Sequence, residues 1–162
     1  MNVQEIESIR KAYREQIVIL VVEDHMLFCR EVRHALPQHN IVFARTVEQA
    51  KEQYDKHLPN ITFLDIDLPD GDGFSVLDYI REHDPNAYVI VLTGSKLQDD
   101  IAASQQRGAQ GYIIKPSPRS RFEHYINEYM KVRERNMKST LEEIEMHRFK
   151  QLKRAAEEKL AE

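Results

Sequence analysis

Two adjacent acids, a third acid, a hydroxyl and a lysine each stand just beyond a short apolar run. Ile17–Val22 ends in Glu23-Asp24, Ile61–Leu64 in Asp65, Tyr88–Leu92 in Thr93, and Tyr112–Ile114 in Lys115-Pro116. Brought together, three carboxylates repel one another in a low-dielectric crevice. A hard divalent cation relieves that repulsion. Mg2+ takes oxygen ligands, keeps several waters and is commonly bound by one or two carboxylates plus phosphate. Asp24 and Asp65 suit direct ligation, with Glu23 acting directly or through water. A carboxylate can also accept a phosphoryl group as an aspartyl phosphate. Lys115 is then the candidate cation for the phosphoryl oxygens and Thr93 the candidate hydroxyl donor. The chemistry these groups can do together is transfer of a phosphoryl group onto a carboxylate.

Taken singly, each piece has a plain explanation. Acid pairs after strands are often solvated ends, Asp-x-Asp before a turn is often turn chemistry, and Lys-Pro is usually a loop. The joint pattern, in order and at corresponding ends, carries the inference.

The elements that must position these groups alternate. The four runs are short, rich in β-branched and aromatic residues, and bounded by polar or turn residues, so they read as buried strands. A fifth strand is expected at Ile41–Ala44. Between them lie helical patterns. One covers 26–36 and ends before Pro37. One begins at Thr46, where Thr46-x-x-Gln49 forms a capping box, and runs to about Tyr54. One covers 74–82, after the turn Pro69–Gly73, and a weak one lies near 98–106, after a polar loop. The last starts at Ser117-Pro118, a cap followed by proline at the first helical position, with Phe122, Tyr125, Ile126, Tyr129 and Met130 on its apolar face. Ile6, Ile9 and Tyr13 suggest a short helix in the polar lead-in 1–16.

Strand–helix alternation indicates βαβ units and a parallel sheet. Right-handed crossovers with both faces covered favour an α/β, doubly wound, five-stranded sheet of order 2-1-3-4-5. In that order the first and third strands meet at the switch point, where ligands bind beyond the carboxyl ends. Glu23, Asp24 and Asp65 fall there, with Thr93 and Lys115 to one side.

The chain has 162 residues, a net charge of −4 and 31% charged residues. That is room for one domain with an appendage. Without a basic excess, no direct nucleic-acid binding is expected of this chain. Cys29, the only cysteine, excludes an internal disulfide and a cysteine metal cage. No apolar stretch is long enough to span a bilayer and the N-terminus lacks a signal-peptide core, so no membrane association and a cytoplasmic location are expected. The expected division is a polar extension at 1–15, the domain at 16–136 and a charged helical tail or linker at 137–162. Leu141, Ile144, Phe149, Leu152, Ala156 and Leu160 give the tail one thin apolar stripe off a strict heptad. A homodimer through the last helix and this tail would cover it.

The segments Val21-Val-Glu-Asp24, Leu64-Asp-Ile-Asp-Leu-Pro-Asp-Gly-Asp-Gly-Phe74, Val91-Leu-Thr-Gly94 and Gly108-Ala-Gln-Gly-Tyr-Ile-Ile-Lys-Pro116 resemble the receiver domain of two-component response regulators, a flavodoxin-like fold. The resemblance covers roughly 15–135 and implies the following. Asp65 is the phospho-acceptor. Mg2+ is held by Glu23, Asp24, Asp65 and the backbone carbonyl of Asp67. Thr93 and Lys115 contact the phosphoryl group, and Tyr112 changes rotamer on switching. The Lys115–Pro116 bond is cis. The partner is a sensor histidine kinase or a phosphotransfer protein, and the protein is a phospho-acceptor switch, not a turnover enzyme. The acid pair is Glu-Asp where Asp-Asp is commoner in the family, and Asp67 is more acidic than many of its counterparts. No effector sequence follows the receiver, so the chain reads as a single-domain regulator with a tail or, slightly favoured, as a regulator cut within a signalling helix.

Two alternatives belong to other classes. Phe63-Leu-Asp65-Ile-Asp67 also resembles the nucleophile motif of haloacid-dehalogenase-type phosphatases, but those enzymes need an acidic pair beyond the lysine and place the nucleophile on the first strand. A degenerate receiver acting as a constitutive binding module would lack some of the five positions, all of which are present.

Overall fold

The apolar runs become strands because both of their faces are covered. In the computed structural model, which describes residues 2–15, 17–94 and 98–161, the strands are β1 (Val18–Val22), β2 (Asn40–Ala44), β3 (Ile61–Asp65), β6 (Tyr88–Thr93) and β7 (Gly111–Ile114). They pair in parallel in the order β2-β1-β3-β6-β7, which is the expected 2-1-3-4-5. Successive residues point to opposite faces, so a run buried on both sides is apolar throughout. On one face Leu20, Val22, Leu64, Val89 and Val91 join Val76, Leu77 and Ile80 in a core cluster. On the other, Phe63 meets Phe122 at 5.1 Å between ring centroids, and Phe122 meets Phe28 at 5.9 Å. Each fully buried aliphatic or aromatic side chain contributes about 1.5–3 kcal/mol.

The helices are α1 (Val3–Glu15), α2 (Met26–Ala35), α3 (Val47–His57), α4 (Gly73–His83), α5 (Gln98–Gln106) and α6 (Arg119–Ala161). Their starts have local causes. His25 Nδ1 accepts the Phe28 N–H, Thr46 Oγ1 accepts the Gln49 N–H at 3.1 Å, and Asp72 Oδ1 accepts the Phe74 N–H at 2.9 Å. These bonds satisfy amides that the first turn of a helix leaves open. The Thr46 capping box differs from expectation in one detail: Gln49 Oε1 accepts from Arg45, one residue further back. Helix α3 also runs on to His57, past Tyr54. Pro118 precedes α6 instead of opening it, and its carbonyl accepts the Arg121 N–H.

The expected turn is present at Pro69-Asp70, where it forms the tip of a small antiparallel ribbon. Strand β4 (Asp67–Leu68) pairs with β5 (Gly71–Asp72). Asp70 at its tip accepts the Val47 N–H at 2.7 Å, tying the ribbon to the start of α3. Helix α1 is longer than the short helix expected, and the side chains of Ile9 and Tyr13 lie outside the described residues, as do residues 95–97 of the polar loop. The chain divides into two compact units, Met1–Ile126 and Asn127–Glu162. Among the described residues no helix is long and apolar enough to cross a membrane.

Candidate functional site

Strand β3 ends at Asp65, and β1 is extended by one ladder bond from the Glu23 N–H to the Ala44 carbonyl, so both carboxylates emerge at one edge of the sheet. Strand β7 is extended likewise, by the Lys115 N–H to the Thr93 carbonyl at 2.7 Å. Strands β1, β3 and β6 are each paired on both sides, which fixes the backbone leading to Glu23, Asp65 and Thr93. Glu23, Asp65 and Thr93 are 1%, 2% and 1% exposed, respectively. Asp24 is the most solvent-accessible of the three acids. A carboxylate oxygen from each of Glu23, Asp24 and Asp65 falls within 4.8 Å of the others.

The Lys115 ammonium ties two of these carboxylates together. Its Nζ donates to Glu23 Oε2 at 2.8 Å and to Asp65 Oδ2 at 3.0 Å. Asp65 Oδ1 accepts the Asp67 N–H at 2.9 Å, so both oxygens of Asp65 are fixed. Glu23 Oε1 accepts the His25 N–H at 3.2 Å. The Phe28 ring lies under the ammonium, 5.4 Å from Nζ to its centroid. Burial disfavours the ammonium, but its bonds to Glu23 and Asp65 and their charges outweigh burial, so the Lys115 pKa is raised and the lysine stays charged. Burial, aided by the Asp65 charge, pushes the Glu23 carboxyl up to about 7, against the lowering bond from Lys115.

Three acids against one ammonium leave an excess of negative charge, and every available donor is a hard oxygen. This donor set fits a hard divalent cation. A proton on Glu23 competes with such a cation. Only the ionised form binds, so Mg2+ affinity is expected to fall as pH drops below about 7, approaching tenfold per pH unit, and to level off above it. Calorimetric titration between pH 5.5 and 8.5 checks this. A flat profile across that range would show that Glu23 does not face the metal.

The three acids and Lys115 thus meet at one place, and Thr93 ends the neighbouring strand β6. Asp67 is present, with an exposed side chain and its N–H on Asp65. Tyr112 is half-buried on β7. Its carbonyl accepts the Tyr125 hydroxyl at 3.2 Å, beside an open groove of about 490 Å3 lined by Pro116, Ser117, Arg121 and Tyr125 among others. The Lys115–Pro116 peptide is cis. The sequence reading missed Phe28 and His25, whose parts depend on where α2 docks, and the capping role of Asp70. Among the described residues no strand follows Lys115, so the phosphatase reading lacks the strand end it needs for its acidic pair.

Comparison with known proteins agrees. The family model for the response regulator receiver domain matches residues 19–127. The virulence transcriptional regulatory protein PhoP of Shigella flexneri is 31% identical over 100 residues, covering 60% of this chain and 45% of PhoP. The chain thus spans less than half the length of this curated relative. Among solved structures, the CheY-like response regulator receiver domain protein from Methanospirillum hungatei JF-1 superposes with a TM-score of 0.70 at 24% identity, covering 75% of this chain and 98% of that one. One chain of the CheX–CheY–BeF3–Mg+2 complex from Borrelia burgdorferi matches with a TM-score of 0.66 at 26% identity, over 70% of this chain and 89% of its own. With an α/β sheet of the expected order and a carboxylate cluster at its switch point, the chain belongs to the receiver domain family of two-component response regulators.

Proposed function

We propose that Asp65 accepts a phosphoryl group from a sensor histidine kinase or a phosphotransfer protein, with Mg2+ held by Glu23, Asp24, Asp65 and the backbone carbonyl of Asp67. The observation that carries this reading is the setting of Asp65. It is a buried carboxylate at the end of the central strand, fixed by the Lys115 ammonium and the Asp67 N–H, beside two further acids.

A carboxylate oxygen of Asp65 attacks phosphorus in line. The bond from phosphorus to the donor's imidazole nitrogen breaks, and the imidazole leaves with the electron pair. The Asp67 N–H and the Lys115 ammonium hold the attacking group in place before the reaction, which removes an orientational cost. Lys115 is also placed to follow the charge that passes to the phosphoryl oxygens. The Thr93 hydroxyl donates to one of those oxygens. When bound, Mg2+ supplies positive charge that neutralises the phosphoryl group. The product is a changed conformational population, with no turnover of substrate. Thr93 shifts toward the new oxygens, Tyr112 turns into the space released, and the surface of β7 and the start of α6 repacks.

Incubation with acetyl phosphate and Mg2+ should give one phosphate adduct by intact mass, and Asp65→Asn should give none. An undiminished adduct in that variant would refute the assignment.

A further inference from the structure

We infer that the C-terminal part of α6 pairs with the same segment of a second chain, antiparallel, about a two-fold axis between Met146 and His147. This inference concerns the unit Asn127–Glu162 by itself and stands apart from the chemistry at Asp65.

The segment carries large apolar side chains in the open: Ile144, Phe149 and Leu152 are 58%, 63% and 65% exposed. A helix with so thin a stripe gains little alone. The order of its residues indicates what covers it. Six of its apolar positions, Met137, Leu141, Ile144, Phe149, Leu152 and Ala156, follow one another in steps of four, three, five, three and four, while Met146 lies beside the centre and Leu160 falls opposite Arg133 outside this set. That series reads the same from either end. Reversed about its centre, Ile144 faces Phe149, Leu141 faces Leu152 and Met137 faces Ala156. The five-residue step interrupts the heptad in either orientation and falls on the two-fold axis, so the choice of an antiparallel pair rests on the charges.

Charge follows the same symmetry. Glu145 and Arg148 are equidistant from the axis, as are Glu134 and Lys159. Each of these two acids therefore meets a base of the other chain, and the Glu145–Arg148 pair occurs twice near the centre. Among the described residues neither Glu145 nor Arg148 has an ion-pair partner within its own chain. In a parallel, in-register pair each residue lies level with its own copy, so Glu145 would sit beside Glu145 and Arg148 beside Arg148. A two-fold antiparallel pair reuses one surface patch on both chains and closes the assembly at two.

The test uses the full-length chain without phosphodonor. Sedimentation at about 50 µM should show a dimer. Glu145→Arg and Arg148→Glu, made singly, each place like charges together twice and should weaken the dimer at least ~10-fold, and the combined swap should return it to within ~3-fold. In a Cys29→Ser background, spin labels at Leu160→Cys should lie ~40 Å apart, since 1.5 Å per residue accumulates on both sides of the axis, whereas labels at Met146→Cys should lie under ~20 Å apart. A monomer at that concentration, short distances at both positions, or indifference to the swaps would each overturn the proposal.

Discussion

Replacing Lys115 with alanine should move two properties in opposite directions. Phosphoryl transfer from acetyl phosphate is expected to slow by about 10²–10³-fold, the usual effect of removing one preorganised partner of a developing oxyanion. Mg2+ affinity is expected to rise, by roughly tenfold or more, because the ammonium no longer neutralises the same carboxylates. Both effects come from one geometry: Nζ sits between Glu23 Oε2 at 2.8 Å and Asp65 Oδ2 at 3.0 Å. Before metal binds, the variant leaves two buried carboxylates facing each other, so the metal-free protein should also unfold more readily, and Mg2+ should restore more stability to it than to the parent. A time course of adduct formation by mass, together with metal titration, reads both quantities. Unchanged metal affinity with slowed transfer would mean that Lys115 acts only on the phosphoryl group and not on the resting cluster.

Gly73→Ala should be the most damaging single methyl addition among the glycines of the receiver unit. A Cβ at Gly73 would lie 2.5 Å from the carbonyl oxygen of Asp65 and closer still to the Cα of Ile66. Those are backbone atoms, which cannot rotate aside. The Gly73 N–H also donates to the Ile66 carbonyl at 3.0 Å, so helix α4 starts directly against the chain leaving Asp65. Overpacking of this kind costs about 3 kcal/mol. The displaced backbone carries the phospho-acceptor, so phosphorylation should fall along with stability. Gly94→Ala is the matched control: a Cβ there meets nothing within 4 Å, and its effect should stay within ~0.5 kcal/mol. Urea unfolding of the two variants gives the comparison. Equal stabilities would show that the close approach at Gly73 relaxes freely.

The contrast between these glycines shows what the sequence could tell and what it could not. The strands were legible because a two-sided parallel sheet makes each one a continuous apolar run, and the chemical residues were legible because they interrupt those runs at corresponding ends. Gly73 was legible as a turn residue, but its packing against Asp65 and Ile66 depends on the ribbon β4–β5, which five residues of turn composition do not announce. Asp70 looked like turn chemistry and instead reaches the start of α3, a partner more than twenty residues away in sequence. Phe28 falls within the helix expected over 26–36, but its ring lies under the Lys115 ammonium only because α2 packs beside Phe122. The segment 137–162 was readable only as a charged helical tail or linker, and its unbroken continuation of the last helix as α6 (Arg119–Ala161) shows in the structure. Contacts set by tertiary docking leave no periodic trace, and those are the ones that escaped.

The assignment of Asp65 is tested most directly by locating the phosphoryl group itself. The phosphorylated protein is treated with borohydride, which reduces an aspartyl phosphate to the alcohol, then digested and read by peptide mass. The account predicts reduction at position 65 alone, dependent on both acetyl phosphate and Mg2+. Reduction at Asp24, Asp67 or any other carboxylate with Asp65 intact would contradict it.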